Sequence, residues 1–247
     1  MATKFVNQVN FAIPAIEGHR IQGEAIPELH KKSVIFPNLI PEAERAAIFA
    51  NLDNANWLPV SVTGMSGNYT EGDEIGSYRA SNYTPEYANV LWERVKPFIP
   101  AQRSFTDHDA TDWDGHELWE PIGVSQLLRF IKYENGGWLV AHYDAPYIES
   151  EDVRTLQSLV IYLDHDENIT GGATRYLKDP EPGKSVTERN LADWDRGATE
   201  DEVRFRLTPE AGTGVIFDHR LFHDAEKVVG NGRKTIIRTD ILYRKIK

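Results

Sequence analysis

The sequence contains no cysteine among its 247 residues. That absence excludes a disulfide framework, a cysteine nucleophile, an iron–sulfur cluster and thiolate-ligated zinc, and leaves histidine and carboxylates as metal ligands. Apolar runs of the ~18 residues that read as a membrane span are also missing. Positive charge is in deficit: 27 Lys and Arg against 38 Asp and Glu give a formal net charge of −11. Such a balance argues against nucleic acid and anionic membrane surfaces as partners. The first residues, Met1-Ala2-Thr3-Lys4-Phe5, lack the apolar core of a signal peptide, so the cytoplasm is the expected compartment. No internal repeat or low-complexity segment is visible, and one domain over residues 1–247 is expected.

With 40% hydrophobic and 26% charged residues, the composition is that of an ordinary globular protein. Residues 1–121 read as helical and loop support that shapes a substrate site. One helix is expected over Pro41–Ala50, where a proline suits the first turn and strong helix formers follow. Another is expected to begin at Thr84 as cap and Pro85 as first residue, with Tyr87, Val90, Leu91 and Val95 as its apolar stripe. Between them, Gly64, Gly67, Gly72 and Gly76 mark a loop-rich stretch running to Ser81. From residue 122 to 247 the pattern changes to short β-branched and aromatic runs separated by Gly, Pro, Asp and Asn. The runs are Val124–Tyr133, Leu156–Leu163, Ala173–Leu177, Val203–Leu207, Gly214–Asp218 and Arg233–Tyr243. This predicts a mainly β fold with flanking helices, a sandwich or barrel. Residues 178–201 form an acidic excursion from the sheet.

Of eight histidines, only His142 stands in a His-x-Asp arrangement, with Asp144. In a strand, residues two apart share a face, so this pair can offer an imidazole and a carboxylate to one metal ion. His219 and His223 are candidates for a third ligand. Two histidines and one carboxylate suit non-haem iron(II), because coordination positions stay open for cosubstrate and dioxygen. Zinc is not excluded by ligand type alone.

The segment Val124–Tyr243 resembles the catalytic core of the 2-oxoglutarate- and iron(II)-dependent oxygenases, in particular the prolyl 4-hydroxylase-like branch. The resemblance rests on five segments in family order. They are Leu128–Gly137 before His142-Tyr143-Asp144, then Leu159–Asp164, Gly171–Thr174, Gly212–Phe217 leading to His223, and Val228–Arg233. It implies a double-stranded β-helix (a cupin-like jelly roll), with Fe(2+), 2-oxoglutarate and O2 as cofactor and cosubstrates. His142, Asp144 and His223 fall on the ligand positions, and His219 is the runner-up for the last. The family places a basic residue about ten positions beyond the distal histidine to bind the far carboxylate of 2-oxoglutarate, which falls on Arg233. Tyr133 matches a position that donates a hydroxyl to that carboxylate, and Thr174 could line the same pocket. A carboxylate at 144, where related halogenases carry a small residue, favours hydroxylation.

The last strand offers its own test of Arg233. One face carries Arg233, Thr235, Ile237, Thr239, Ile241 and Tyr243, the more apolar set, and is expected to face the barrel interior. Arg238 lies on the other face and stays a second candidate for the cosubstrate, since a bulge near Gly232 would reverse the parity. Arg79 and Arg175 are candidates for a substrate carboxylate. The expected reaction is hydroxylation of an unactivated C–H in a free amino acid or other small metabolite. A residue in a protein or peptide, such as proline, is the alternative. A non-catalytic or zinc-binding jelly roll is the further one.

Overall fold

A computed structural model describes residues 9, 11–29, 33–63, 73–104, 117–179, 181 and 196–246. The glycines at 64, 67 and 72 and most of the 178–201 excursion lie outside these residues. The first elements are β1 (Glu24–Ala25), β2 (Val34–Phe36), α1 (Glu42–Leu52), β3 (Leu58–Ser61), β4 (Ile75–Tyr83) and α2 (Pro85–Val95). There follow β5 (Trp119–Val124), β6 (Leu127–Tyr133), β7 (Leu139–His142), β8 (Val153–His165), β9 (Ile169–Gly171) and β10 (Thr174–Leu177). The chain closes with β11 (Val203–Leu207), β12 (Gly214–Asp218), β13 (His223–Ala225), β14 (Val228–Gly230) and β15 (Lys234–Lys245).

Both expected helices form. Pro41 sits just before α1 in extended backbone, and Pro85 opens α2, where its missing N–H costs nothing. Thr84 precedes α2 but makes no side-chain capping bond. Tyr87, Leu91 and Val95, spaced four apart on one face, are buried. Between the helices the structure departs from expectation: Ile75–Tyr83 is a nine-residue strand, not a loop. Its glycine and serines resemble loop composition, but it lies between β3 and β6 and is mostly buried, so pairing overrides propensity.

A large antiparallel sheet runs β1-β2-β12-β8-β15-β6-β4-β3, with β5 paired to the end of β15. A smaller sheet runs β11-β10-β13-β7, and β14 pairs with β9. The two main sheets make the expected jelly roll. Ile131, Val160, Val215, Phe217 and Ile236 of the large sheet pack with Tyr176, Leu207 and Ala225 of the small one. The large sheet's other face is covered by α1 and α2: Ile48, Leu91 and Val95 pack with Phe130, Ile161, Ile237 and Ile241. Each fully buried side chain of this kind contributes about 1.5–3 kcal/mol. Burial on both faces explains the near-continuous apolar run of Leu159–Leu163.

This double burial corrects the expectation for β15. Ile237, Ile241 and Tyr243 lie under the helices, and Ile236 lies in the jelly-roll interior. The more apolar face is the helix face, so Lys234, Arg238 and Asp240 share the interior face with Ile236.

Candidate metal and cosubstrate site

The site begins where β7 and β13 meet. His142 ends β7, His223 opens β13, and they are paired directly across the ladder. Their ring centroids are 4.3 Å apart. Each Nδ1 lies 2.8 Å from a carbonyl two residues back, Val140 for His142 and Leu221 for His223. A carbonyl can only accept, so Nδ1 carries the proton in both rings and Nε2 keeps its lone pair. Both Nε2 atoms face Asp144: His142 is 3.8 Å from Oδ1 and His223 is 3.8 Å from Oδ2. The ligand-capable atoms of His142, Asp144 and His223 all lie within 4.8 Å of one another.

Burial and, after it, the neighbouring His142 lower the His223 pKa to about 4. The ring is therefore neutral at physiological pH, the form that binds a metal ion. Phe217 packs edge-on against it, with centroids 4.9 Å apart. Asp144 lies just past the end of β7. Its N–H donates to the His219 carbonyl (3.0 Å), and its Oδ2 accepts a short hydrogen bond from the Ser158 hydroxyl. Arg238 Nη2 is 3.0 Å from Asp144 Oδ1 and 3.1 Å from Asp240 Oδ1. His219 is held elsewhere: it is buried with Nε2 3.1 Å from Asp240 Oδ1, and it is outside the cluster.

Deeper in the jelly roll lies Lys234, 1% exposed. Its Nζ donates to the Gly172 carbonyl at 2.6 Å and lies 4.8 Å and 5.7 Å from the ring centroids of Tyr133 and Tyr162. Gly171 and Gly172 both have positive φ, +75° and +73°, and this left-handed turn aims the carbonyl at the amine. The Tyr162 hydroxyl and Thr174 Oγ1 are 2.7 Å apart beside it. Burial drives the Lys234 pKa down to about 7 and raises those of Tyr133 and Tyr162. No carboxylate is paired with Lys234 among the described residues, so its ammonium is poised to accept an anion.

Arg233 points the other way. Its Nε is 3.2 Å from Asp164 Oδ2, its guanidinium lies over the Phe49 ring of α1, and its side chain is 45% exposed. The expectation that Arg233 faces the interior is thus corrected to Lys234, one residue on. Arg175 is likewise displaced from a substrate role. Thr174 and Tyr176 face the interior, so Arg175 projects from the outer side of the small sheet. There it forms a bidentate pair with Asp224, 2.9 Å at its closer-to-ideal contact, and reaches Glu200 at 3.5 Å. Arg79 does face inward: it pairs across β4 and β6 with Ile131, an interior residue. Sequence reasoning missed Lys234, Ser158 and Tyr162. Lys234 stands next to the residue chosen by spacing, and the alternation along β15 separates the two without saying which of them turns inward.

Residues 128–239 match the family model of the 2OG-Fe(II) oxygenase superfamily. Comparison with curated proteins gives no match. Among solved structures, the chain is similar to a prolyl hydroxylase from Trichoplax adhaerens in complex with a hypoxia inducible factor oxygen degradation domain peptide fragment. That likeness has a TM-score of 0.53 at 12% identity over 86% of this chain and 84% of the other, and it shows a shared fold. A Pseudomonas putida prolyl-4-hydroxylase gives a TM-score of 0.49 at 14% identity, covering 87% of this chain and 94% of that one. HygX from Streptomyces hygroscopicus with nickel and 2-oxoglutarate bound gives 0.46 at 9% identity, covering 86% and 82%.

Proposed function

We propose that this chain, whose residues 128–239 match the family model of the 2OG-Fe(II) oxygenase superfamily, hydroxylates an unactivated C–H of a free amino acid or other small metabolite. In this reading His142, Asp144 and His223 hold iron(II), and Lys234 binds the distal carboxylate of 2-oxoglutarate. When bound, iron(II) with 2-oxoglutarate and dioxygen supplies the oxidant for C–H hydroxylation, with succinate and carbon dioxide as coproducts.

The protein's own residues perform the rest. His142 and His223 present unprotonated Nε2 atoms because their Nδ1 atoms are committed to carbonyls. Ser158 and Arg238 fix the rotamer of Asp144 so that its carboxylate meets both imidazoles. Lys234, with the rings of Tyr133 and Tyr162 beside it and the Tyr162 hydroxyl paired to Thr174, offers a charged and polar end to a linear dicarboxylate. Ile131, Val160, Val215 and Ile236 belong to the apolar core of the jelly-roll interior around these groups, which excludes water. Arg238 is a positioning residue here, because its Nη2 lies against both Asp144 and Asp240.

The observation that carries the reading is that the three-residue cluster and a buried lysine with no paired carboxylate among the described residues lie in the same jelly-roll interior. Anaerobic titration of the iron(II)-loaded protein with 2-oxoglutarate should produce a visible charge-transfer band. Succinate should then form in air with a member of an amino-acid panel. Absence of both would overturn the proposal.

A second reading, hydroxylation of a residue such as proline in a protein or peptide, is favoured by one feature. Tyr147 and Ile148, just past Asp144, are 55% and 57% exposed and offer an apolar rim to an extended chain. Turnover of neutral, end-blocked peptides but not free amino acids would select it.

A further inference from the structure

Besides Lys234, a second inward-facing cation has no counterion among the described residues. The register places Arg79 of β4 opposite Ile131 of β6, and Arg129 of β6 opposite both Ser81 of β4 and Arg238 of β15. Residues opposite one another in a ladder share a face, so Arg79, Arg129 and Arg238 project together into the interior, on three adjacent strands. Two carboxylates answer these three guanidiniums. Asp240 is shared, 3.4 Å from Arg129 Nη1 and 3.1 Å from Arg238 Nη2, and Asp144 is taken by Arg238 and the histidine pair. Arg79 has no ion pair or hydrogen bond from its side chain among the described residues, and its Nε is buried without a partner.

A like-charged neighbour adds to this. Burial, then Arg129, lowers the Arg79 pKa, and Tyr133 and Asp144 act in the opposite sense, which puts the guanidinium within electrostatic reach of both the cosubstrate end and the metal cluster. A partly buried guanidinium with a buried Nε and no partner is disfavoured unless an anion completes it. Asp144 cannot serve once it is a metal ligand, and a bound metal ion adds positive charge nearby.

Resting on the oxygenase reading above, we infer that the substrate carries a free carboxylate, which Arg79 binds with Arg129 beside it, holding the substrate's C–H at the metal cluster. The planar fork of Arg79 suits a carboxylate and leaves a neutral peptide segment without the charge the site needs. The favoured substrate class is thus a small carboxylic acid, a free amino acid included, rather than an internal residue of a protein. 2-Oxoglutarate is itself a carboxylate, and the test separates it from a substrate.

The experiment uses the full chain with manganese(II) and N-oxalylglycine in place of iron and 2-oxoglutarate, so that no turnover occurs. Thermal shift and calorimetry are run with acetate, L-alanine and L-proline, against acetamide and the two amino-acid amides, for the wild type, Arg79→Gln and Arg79→Lys. At least one carboxylate should bind the wild type at least tenfold more tightly than its amide, lose at least tenfold in Arg79→Gln, and be partly rescued in Arg79→Lys. The ligand-free Tm of Arg79→Gln should equal or exceed that of the wild type, because the variant removes a partly buried charge that has no partner among the described residues. A Tm lower by several degrees would show a structural arginine and overturn the inference. So would amides binding as well as acids, or no probe binding in an Arg79-dependent way. If Arg79→Gln weakens N-oxalylglycine as much as the acids, the arginine serves the cosubstrate and the inference fails. A charge-transfer band in iron-loaded wild type alongside any of these failures would leave the oxygenase reading intact, whereas loss of the band would bring that reading down first.

Discussion

Lys234 and Arg233 are neighbours in the chain, yet one is 1% exposed inside the jelly roll and the other lies half in solvent beside Asp164. Only the buried one should matter to 2-oxoglutarate. Lys234→Met should raise the Kd for 2-oxoglutarate roughly 100-fold or more, the scale for truncating one partner of a buried charged pair, and Arg233→Met should change it by less than about threefold, as expected of an exposed ion pair. Calorimetry with manganese-loaded protein checks both. The same lysine predicts a pH dependence. With its pKa near 7 in the ligand-free protein, Lys234 must take up a proton to meet a carboxylate above that pH. The Kd should therefore rise with pH from about 7, approaching roughly tenfold per unit. Folding stability moves in the opposite sense: the unfolded lysine binds more protons between pH 7 and 10.5, so this group makes the ligand-free protein more stable as pH rises through that window. At the metal cluster, Asp144→Ala removes the carboxylate that both imidazoles face. Hydroxylation should become undetectable while the fold survives, since Asp144 is outside the hydrophobic clusters. Near-wild-type succinate formation by this variant would contradict its role as a ligand.

At the scale of elements, the β9–β10 turn shows how backbone geometry builds the cosubstrate end. A Cβ on Gly171 would lie 2.1 Å from the Lys227 carbonyl oxygen, at a φ of +75°. Gly171→Ala should cost on the order of 2–4 kcal/mol, combining left-handed strain with that overlap, and should weaken 2-oxoglutarate binding because the Gly172 carbonyl loses its aim at Lys234. Denaturant melts and calorimetry would read both. Much of this was legible beforehand. The double glycine, the His142-Tyr143-Asp144 segment and the strand at Gly214–Asp218 were visible as local patterns, and so were both helices, where capping proline and i,i+4 stripe agree with the final packing. What failed was parity. Alternation along Arg233–Tyr243 identifies two faces but not which one meets the helices, because a strand buried on both sides carries an apolar face toward each neighbour. The more apolar set belongs beneath α1 and α2, and the set interrupted by Lys234, Arg238 and Asp240 belongs to the chemistry. Strand β4 was missed for a related reason: its glycine and serines are chosen for close approach to neighbouring backbone, as where a Cβ on Gly76 would lie 2.4 Å from the Trp138 carbonyl oxygen, and not for β propensity.

For the molecule as a whole, the consequence is that the division at residue 121 is not a boundary between support and catalytic core. Strand β4 runs beside β6 through six residue pairs, Tyr78 to Tyr83 against Lys132 to Leu127, and β2 pairs with β12 at the other side of the sheet. Leu128, Phe130, Ile161, Ile237 and Ile241 are covered by Ile48, Leu91 and Val95 of the two helices. A chain of residues 122–247 would keep every expected metal ligand and Lys234, but it would expose that apolar face and leave β6 as an unprotected edge. Arg79 would be gone as well. We expect this fragment to lack a cooperative thermal transition, to bind a hydrophobic dye and to show no charge-transfer band with iron(II) and 2-oxoglutarate, whereas residues 1–247 melt cooperatively as one unit. A fragment that unfolds cooperatively and gives the band would mean that the jelly roll stands alone and that residues 1–121 only add to it. The prediction follows from where the stabilising area lies: the ligands are carried by the second half, but one entire face of the sheet that aims Lys234 and Arg238 is buried by the first.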